Sequence, residues 1–135
     1  MTADLVAQLN EHKGELNERL QVVVTEASPE RIVATMPVEG NRQPYGLLHG
    51  GASVALGETL GSVLASLNCP EGKQAVGVDI YATHHRSALE GTVTGTTTLL
   101  SKGRTLVVSE TVVTDDQDRR VCTVRLTCFL RDVRG

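Results

Sequence analysis

Between Gly50 and Asn68 the chain carries a single charged residue, Glu58, in a run of small and apolar side chains. This run narrows the possible folds more than any other. Ala52, Ala55, Leu56, Thr59, Leu60, Val63, Leu64 and Leu67 recur at helical spacing and form one stripe. Glu58 lies nearly opposite that stripe. A surface helix would surround it with Lys, Glu and Gln; here its helical neighbours are Val54, Gly61, Ser62 and Ala65. A helix that is small or apolar nearly all round is buried on more than one side. With the stripe facing the chain's own fold, a second chain is expected to cover the Glu58 face, and a symmetric dimer is the default way to do so. A lone carboxylate on a covered face is costly unless it is used or well paired.

The rest of the chain reads as short strands. Ala3 to about His12 has helix-favouring residues and predicts a short helix within an N-terminal segment of residues 1–17, which Gly14 ends or bends. Arg19 to Thr25 is β-branched, and Arg31 to Val38 alternates Ile32, Ala34, Met36 and Val38 with polar or small partners, so the two predict a hairpin. Four more strands follow the helix: Gln74–His84, Gly91–Leu100, Arg104–Thr114 and Arg120–Leu130. The turns between them, at Ser87–Glu90, Ser101–Gly103 and Asp115–Asp118, are short and imply antiparallel neighbours. The order β-β-α-β-β-β-β fits one α+β domain over residues 1–135, with an antiparallel sheet wrapped around a long central helix. Parity puts Thr94, Thr96, Thr98, Thr111, Thr123 and Thr127 on the outer face.

Composition excludes several classes. A net charge of -3 with scattered basic residues argues against nucleic acid, and two Tyr, one Phe and no Trp leave no platform for stacking bases. Cys69, Cys122 and Cys128 form no CxxC pair and read as free thiols, which points to a reducing cytoplasm. Residues 1–20 hold neither a signal peptide nor a membrane span. His49, His84 and His85 lack metal-ligand spacing, and neither Ser53 nor Ser62 sits in a nucleophile elbow.

The chemistry concentrates before and within the helix. Gly50 and Gly51 let a ligand approach the backbone, and a helix N-terminus offers free N–H groups and a positive dipole end that would polarise a carbonyl. Glu58 lies ~12 Å further along the axis, at 1.5 Å per residue; a long side chain pointing back shortens the gap, yet one chain's helix start and its own Glu58 look far apart. A site shared between two chains removes the difficulty. Each feature also has a plainer reading. The glycines could form a tight turn, His49 could bond its own loop, Glu58 could be a dimer contact, and Ser101–Arg104 could be a solvated hairpin.

The stretch Gln43-Pro44-Tyr45-Gly46-Leu47-Leu48-His49-Gly50-Gly51-Ala52-Ser53, followed by Glu58 and Gly61-Ser62, resembles the hotdog-fold acyl-CoA thioesterases. The likeness spans about residues 31–131 and is greatest to the branch acting on aryl-CoA esters such as 4-hydroxybenzoyl-CoA and 1,4-dihydroxy-2-naphthoyl-CoA. It implies that Glu58 attacks the thioester carbonyl or activates water, that the Gly50 N–H holds the carbonyl oxygen, and that Gln43 and His49 orient the reacting group. Gly51, Ser62 and His84 would line the substrate site. Arg86, Ser101, Lys102 and Arg104 would meet the coenzyme phosphates. The resemblance further implies a homodimer with shared sites, paired into a tetramer, and no cofactor or metal, coenzyme A being part of the substrate. Tyr45 and His85 depart from the family pattern and could alter acyl preference. Two rivals stand beside hydrolysis: a hotdog dehydratase and a non-catalytic acyl-CoA-binding protein.

Overall fold

The computed structural model describes residues 2–133. The elements run α1 (Thr2–Glu11), α2 (Glu15–Leu20), β1 (Val23–Ala27), β2 (Arg31–Pro37), α3 (Gly50–Leu67), β3 (Lys73–His84), β4 (Thr92–Lys102), β5 (Leu106–Thr114) and β6 (Arg120–Asp132). All six strands form one antiparallel sheet, and α3 packs across its concave face. No helix among the described residues is long and apolar enough to cross a membrane.

The core follows from the helix stripe. Leu56, Leu60 and Leu64 are fully buried, each stabilising the fold by roughly 1.5–3 kcal/mol. They meet inward residues of the sheet, including Ile32, Ala34 and Met36 of β2, Val93 of β4 and Val113 of β5. A second cluster joins Ala65 to Val107, Leu126, Cys128 and Leu130. The three cysteines are unpaired, and Cys122 and Cys128 are buried on the inner face.

Four expectations change. The strand expected from Arg19 begins at Val23, because Glu15–Leu20 forms a helix closed by Gln21 in the left-handed region, φ 60°. The strand order is β1-β2-β4-β5-β6-β3, so β3 pairs with β6, and the short connection to β4 does not make those two neighbours. Thr111 faces inward, buried and bonded to Thr97 at 2.6 Å. Gly61 and Ala65 are covered by the chain's own sheet rather than by a second chain, since a Cβ on Gly61 would meet Ser109 and Leu126. The half-buried remainder of that helix face is Val54, Glu58 and Ser62.

The two edges of the sheet differ. At β1 the Asn10 amide donates to the Val24 carbonyl at 2.8 Å and accepts from the Val24 N–H at 2.8 Å, as a neighbouring strand would, and Lys13 Nζ donates to the Val22 carbonyl. At β3, twelve residues long, no side chain is fully buried, and Val78 and Tyr81 are 60% and 58% exposed. A bulge at Val78 shifts the β3–β6 register between Gly77 and Asp79. The apparent alternation Val76, Val78, Ile80 is therefore broken: Val76 pairs with Phe129 on the outer face and Ile80 with Leu126 on the inner.

Candidate active site

The loop before α3 is held from several sides. Asn41 is buried and donates to the carbonyls of Leu20 and Pro37, each at 2.8 Å, while its own carbonyl accepts from the His49 N–H at 2.9 Å. The Leu48 N–H donates to the Ala88 carbonyl at 2.8 Å, tying the loop to the segment after β3. The Gln43 side-chain oxygen accepts from the Tyr45 N–H and shapes the turn. Sequence reasoning missed Asn41, which binds through amide bonds rather than any apolar period.

His49 is the N-cap of α3. Its Nδ1 accepts from the Gly51 N–H at 2.8 Å, so the neutral ring carries its proton on Nε2. A Cβ on Gly51 would lie 2.9 Å from that ring, which accounts for the glycine. The Ala52 N–H bonds back to the His49 carbonyl. The Gly50 N–H is left with no protein partner among the described residues. Gly50 in turn lies under His84, where a Cβ would come 2.9 Å from Cε1. His84 reaches it because it pairs with Cys122 on the inner face of the sheet, whereas His85 turns outward and bonds Thr123 Oγ1 at 2.8 Å.

Gln43, Gly50, Ser53, His84 and Arg86 thus line one cavity of about 410 Å³. Its polar groups sit around a helix N-terminus with a free N–H, an arrangement suited to a carbonyl oxygen gaining charge. His49 does not join that cavity. It borders a shallow groove of about 320 Å³ with Leu16, Leu20 and Ala55.

Glu58 and Ser62 lie elsewhere. The Ser62 hydroxyl is 3.5 Å from Glu58 Oε2, and that oxygen rests against Gly77 of β3, at the open edge of the sheet. Cys128 stands opposite Gly77 in the register. Burial, and then the charge of Glu58, pushes the Cys128 thiol above its ordinary value. Glu58 is eight residues from Gly50, about 12 Å along the axis, and it does not line the cavity at that helix start. Gly77 carried a signal that sequence reading passed over, for an isolated glycine inside a strand marks a bulge or a close approach.

Ser101 and Lys102 end β4 and Arg104 lies in the turn to β5, and all three are exposed. Lys102 Nζ donates to Asn68 Oδ1 at 3.4 Å, and Asn68 caps the C-terminal end of α3. The turn is therefore at the opposite end of the helix from Gly50. Beyond it, a cavity of about 940 Å³ is lined by Thr105, Lys73, Phe129 and Arg131. No three His, Cys, Asp or Glu side chains among the described residues are grouped to hold a metal ion.

The chain is similar to several known proteins. The sequence model of the thioesterase superfamily matches residues 45–122, from the loop before α3 into β6. The chain is 45% identical over 115 residues to the proofreading thioesterase EntH of Cronobacter sakazakii, covering 84% of each. Its fold is similar to that of a thioesterase from Haemophilus influenzae, with TM-score 0.88 and 34% identity over 100% of this chain and 93% of that one. It is also similar to a glutamine-to-alanine mutant of a Pseudomonas aeruginosa thioesterase, with TM-score 0.89 and 33% identity over 95% and 94% of the two chains.

Proposed function

The chain belongs to the thioesterase superfamily, and on that premise we propose that it hydrolyses acyl-CoA thioesters to free acid and coenzyme A at sites shared between two chains. The observation that carries this reading is the placement of Glu58, the lone charge on α3, against bare backbone at the open edge of the sheet.

The open edge supports the shared site. In a two-fold antiparallel pairing of two β3 edges that sets Tyr81 opposite the partner's Tyr81 and skips the bulged Val78, His84 of one chain falls opposite Gly77 of the other. Gly50 lies under His84, and Glu58 lies over Gly77. Each Glu58 then stands beside the partner's Gly50. The thioester oxygen takes the free Gly50 N–H at the helix start, with Gln43 and His84 around it. Glu58 either adds to the carbonyl carbon, expelling the CoA thiolate and leaving an anhydride that water opens, or takes a proton from the attacking water as base. In both routes negative charge gathers on the oxygen facing the helix dipole.

The acyl group is aryl or hydroxyaryl on the likeness of the Gln43–Ser53 and Glu58 pattern to that branch. Arg86 lines the carbonyl cavity, and the Ser101–Arg104 turn with Lys73 and Arg131 offers cations to the coenzyme phosphates. The Thr-rich outer face gives dimers a surface on which to pair.

Free thiol release from benzoyl, hydroxybenzoyl, dihydroxynaphthoyl, phenylacetyl and straight-chain CoA esters tests the reaction. The aryl esters should show the highest kcat/KM. Tight binding without release would make the protein a sensor, and hydration of an unsaturated ester would make it a dehydratase; either outcome sinks the hydrolase reading.

Sharing of the site has its own test. Glu58→Gln and Gln43→Ala chains should each be weak alone. After subunit exchange the mixture should regain about a quarter of wild-type activity, since half the dimers are mixed and each mixed dimer has one intact site. No gain in verified mixed dimers would mean that each site is built within one chain.

A further inference from the structure

The catalytic reading leaves one feature of β3 unexplained, the glycine at position 77. A Cβ built there would lie 3.1 Å from Glu58 Oε2, tighter than nine in ten real Cβ contacts, and 3.6 Å from Leu126 Cδ1, an ordinary distance. The space a side chain would occupy is held by a carboxylate oxygen. The backbone itself does not call for glycine, because φ at this residue lies outside the left-handed region. Glycine inside a strand is otherwise a weakness.

Two further side chains belong to the same neighbourhood. Ser62 approaches from the next helical turn at 3.5 Å, and Cys128 lies beneath, opposite Gly77. The bulge adds a second effect. Regular alternation from Gly77 would bring Asp79 to the inner face next. With Val78 unpaired, Asp79 instead pairs with Thr127 on the outer face, and Ile80, Ala82 and His84 face inward. The bulge thus keeps a second carboxylate off the face that holds Glu58, where like charge would disfavour ionisation.

We propose that Gly77 is a positioning residue for Glu58: its bare backbone seats the carboxylate at the sheet edge, where the partner's helix start delivers the thioester. This rests on Glu58 being the catalytic carboxylate. A side chain at position 77 would push the carboxylate off its line by a few tenths of an ångström without touching the coenzyme.

Gly77→Ala should fold, pair and keep its KM, while kcat on the best CoA ester falls about tenfold, since a 1 Å error in placement can cost ~100-fold. Glu58→Asp draws the carboxylate back by about one methylene, ~1.5 Å. It should therefore cost less in the Gly77→Ala background than in wild type, a coupling that a remote structural defect would not produce. Thermal melting gives a readout independent of turnover. Any loss of Tm from Gly77→Ala should vanish in a Glu58→Ala background, and if Gly77→Ala alone fails to fold, Glu58→Ala should restore folding.

Strictly additive effects of the two positions, or a wild-type kcat in Gly77→Ala, would overturn the proposal while an inactive Glu58→Gln left the catalytic reading standing. A fully active Glu58→Gln would remove both.

Discussion

Glu58→Gln should lower kcat on the best CoA ester by at least ~100-fold, the lower end for a positioned base, with KM little changed and the dimer intact. Gln keeps the length of the side chain and can still accept from the Ser62 hydroxyl, which lies 3.5 Å from Oε2. It still fits against Gly77. What it loses is the charge and the basicity. The free Gly50 N–H, the cavity around His84 and the cations of Arg86, Lys102 and Arg104 are untouched, so substrate should bind nearly as before. A purely structural Glu58 predicts the reverse: intact dimers turning over at normal rates, with any cost appearing as lost stability or assembly. Steady-state kinetics paired with sedimentation on the same preparation separates the two. Wild-type kcat in the Gln variant would leave the site without a catalytic carboxylate.

The second large effect concerns the helix glycines, and it falls on folding. A Cβ on Gly57 would come 2.6–2.9 Å from the branched Val124 side chain, and one on Gly61 would come 2.6 Å from Ser109 Oγ and 2.8 Å from Leu126 Cδ2. Gly57→Ala gains ~1 kcal/mol of helix propensity, yet overpacking a filled core costs about 1–3 kcal/mol. Val124 is held by the sheet and cannot swing away, so the net change should be a loss. Gly61→Leu adds four carbons to a surface with no room for one, and should yield no folded chain at all. Urea unfolding of Gly57→Ala and recovery of soluble Gly61→Leu check the pair. A folded, monomeric Gly61→Leu would return this face of α3 to the dimer interface that the sequence alone suggested.

That reversal shows which kind of information the sequence carries. The long helix, the hairpin before it and the four strands after it were readable because their apolar residues recur at periods of 3.6 or 2. Glu58 and Gly50 stood out as a charge and a glycine pair in a run that otherwise wanted neither. Helix α2 gave no such signal, having six residues and a Leu16 that is 57% exposed. Strand order was hidden because β3 finds its partner beyond two intervening strands. Thr111 was placed on the wrong face because a Thr suits either side of a sheet until its partner, here Thr97, is known. The Val78 bulge breaks the alternation of Val76, Val78 and Ile80, which the bare sequence shows as unbroken. Gly61 and Ala65 looked like an open face because one helix can be wrapped by a single curved sheet on more than one side.

The unequal edges of the sheet bear on how large an assembly can grow. An exposed strand is a template for further strands, and a chain with two such edges could add copies without limit. Here Asn10 takes both backbone groups of Val24 in β1, and Lys13 takes the Val22 carbonyl just before that strand. Once two β3 strands meet, each chain has spent its one adhesive edge, and the doubled sheet presents a sealed strand at either end. In the proposed β3 pairing, growth in the plane of the sheet would therefore stop at two chains.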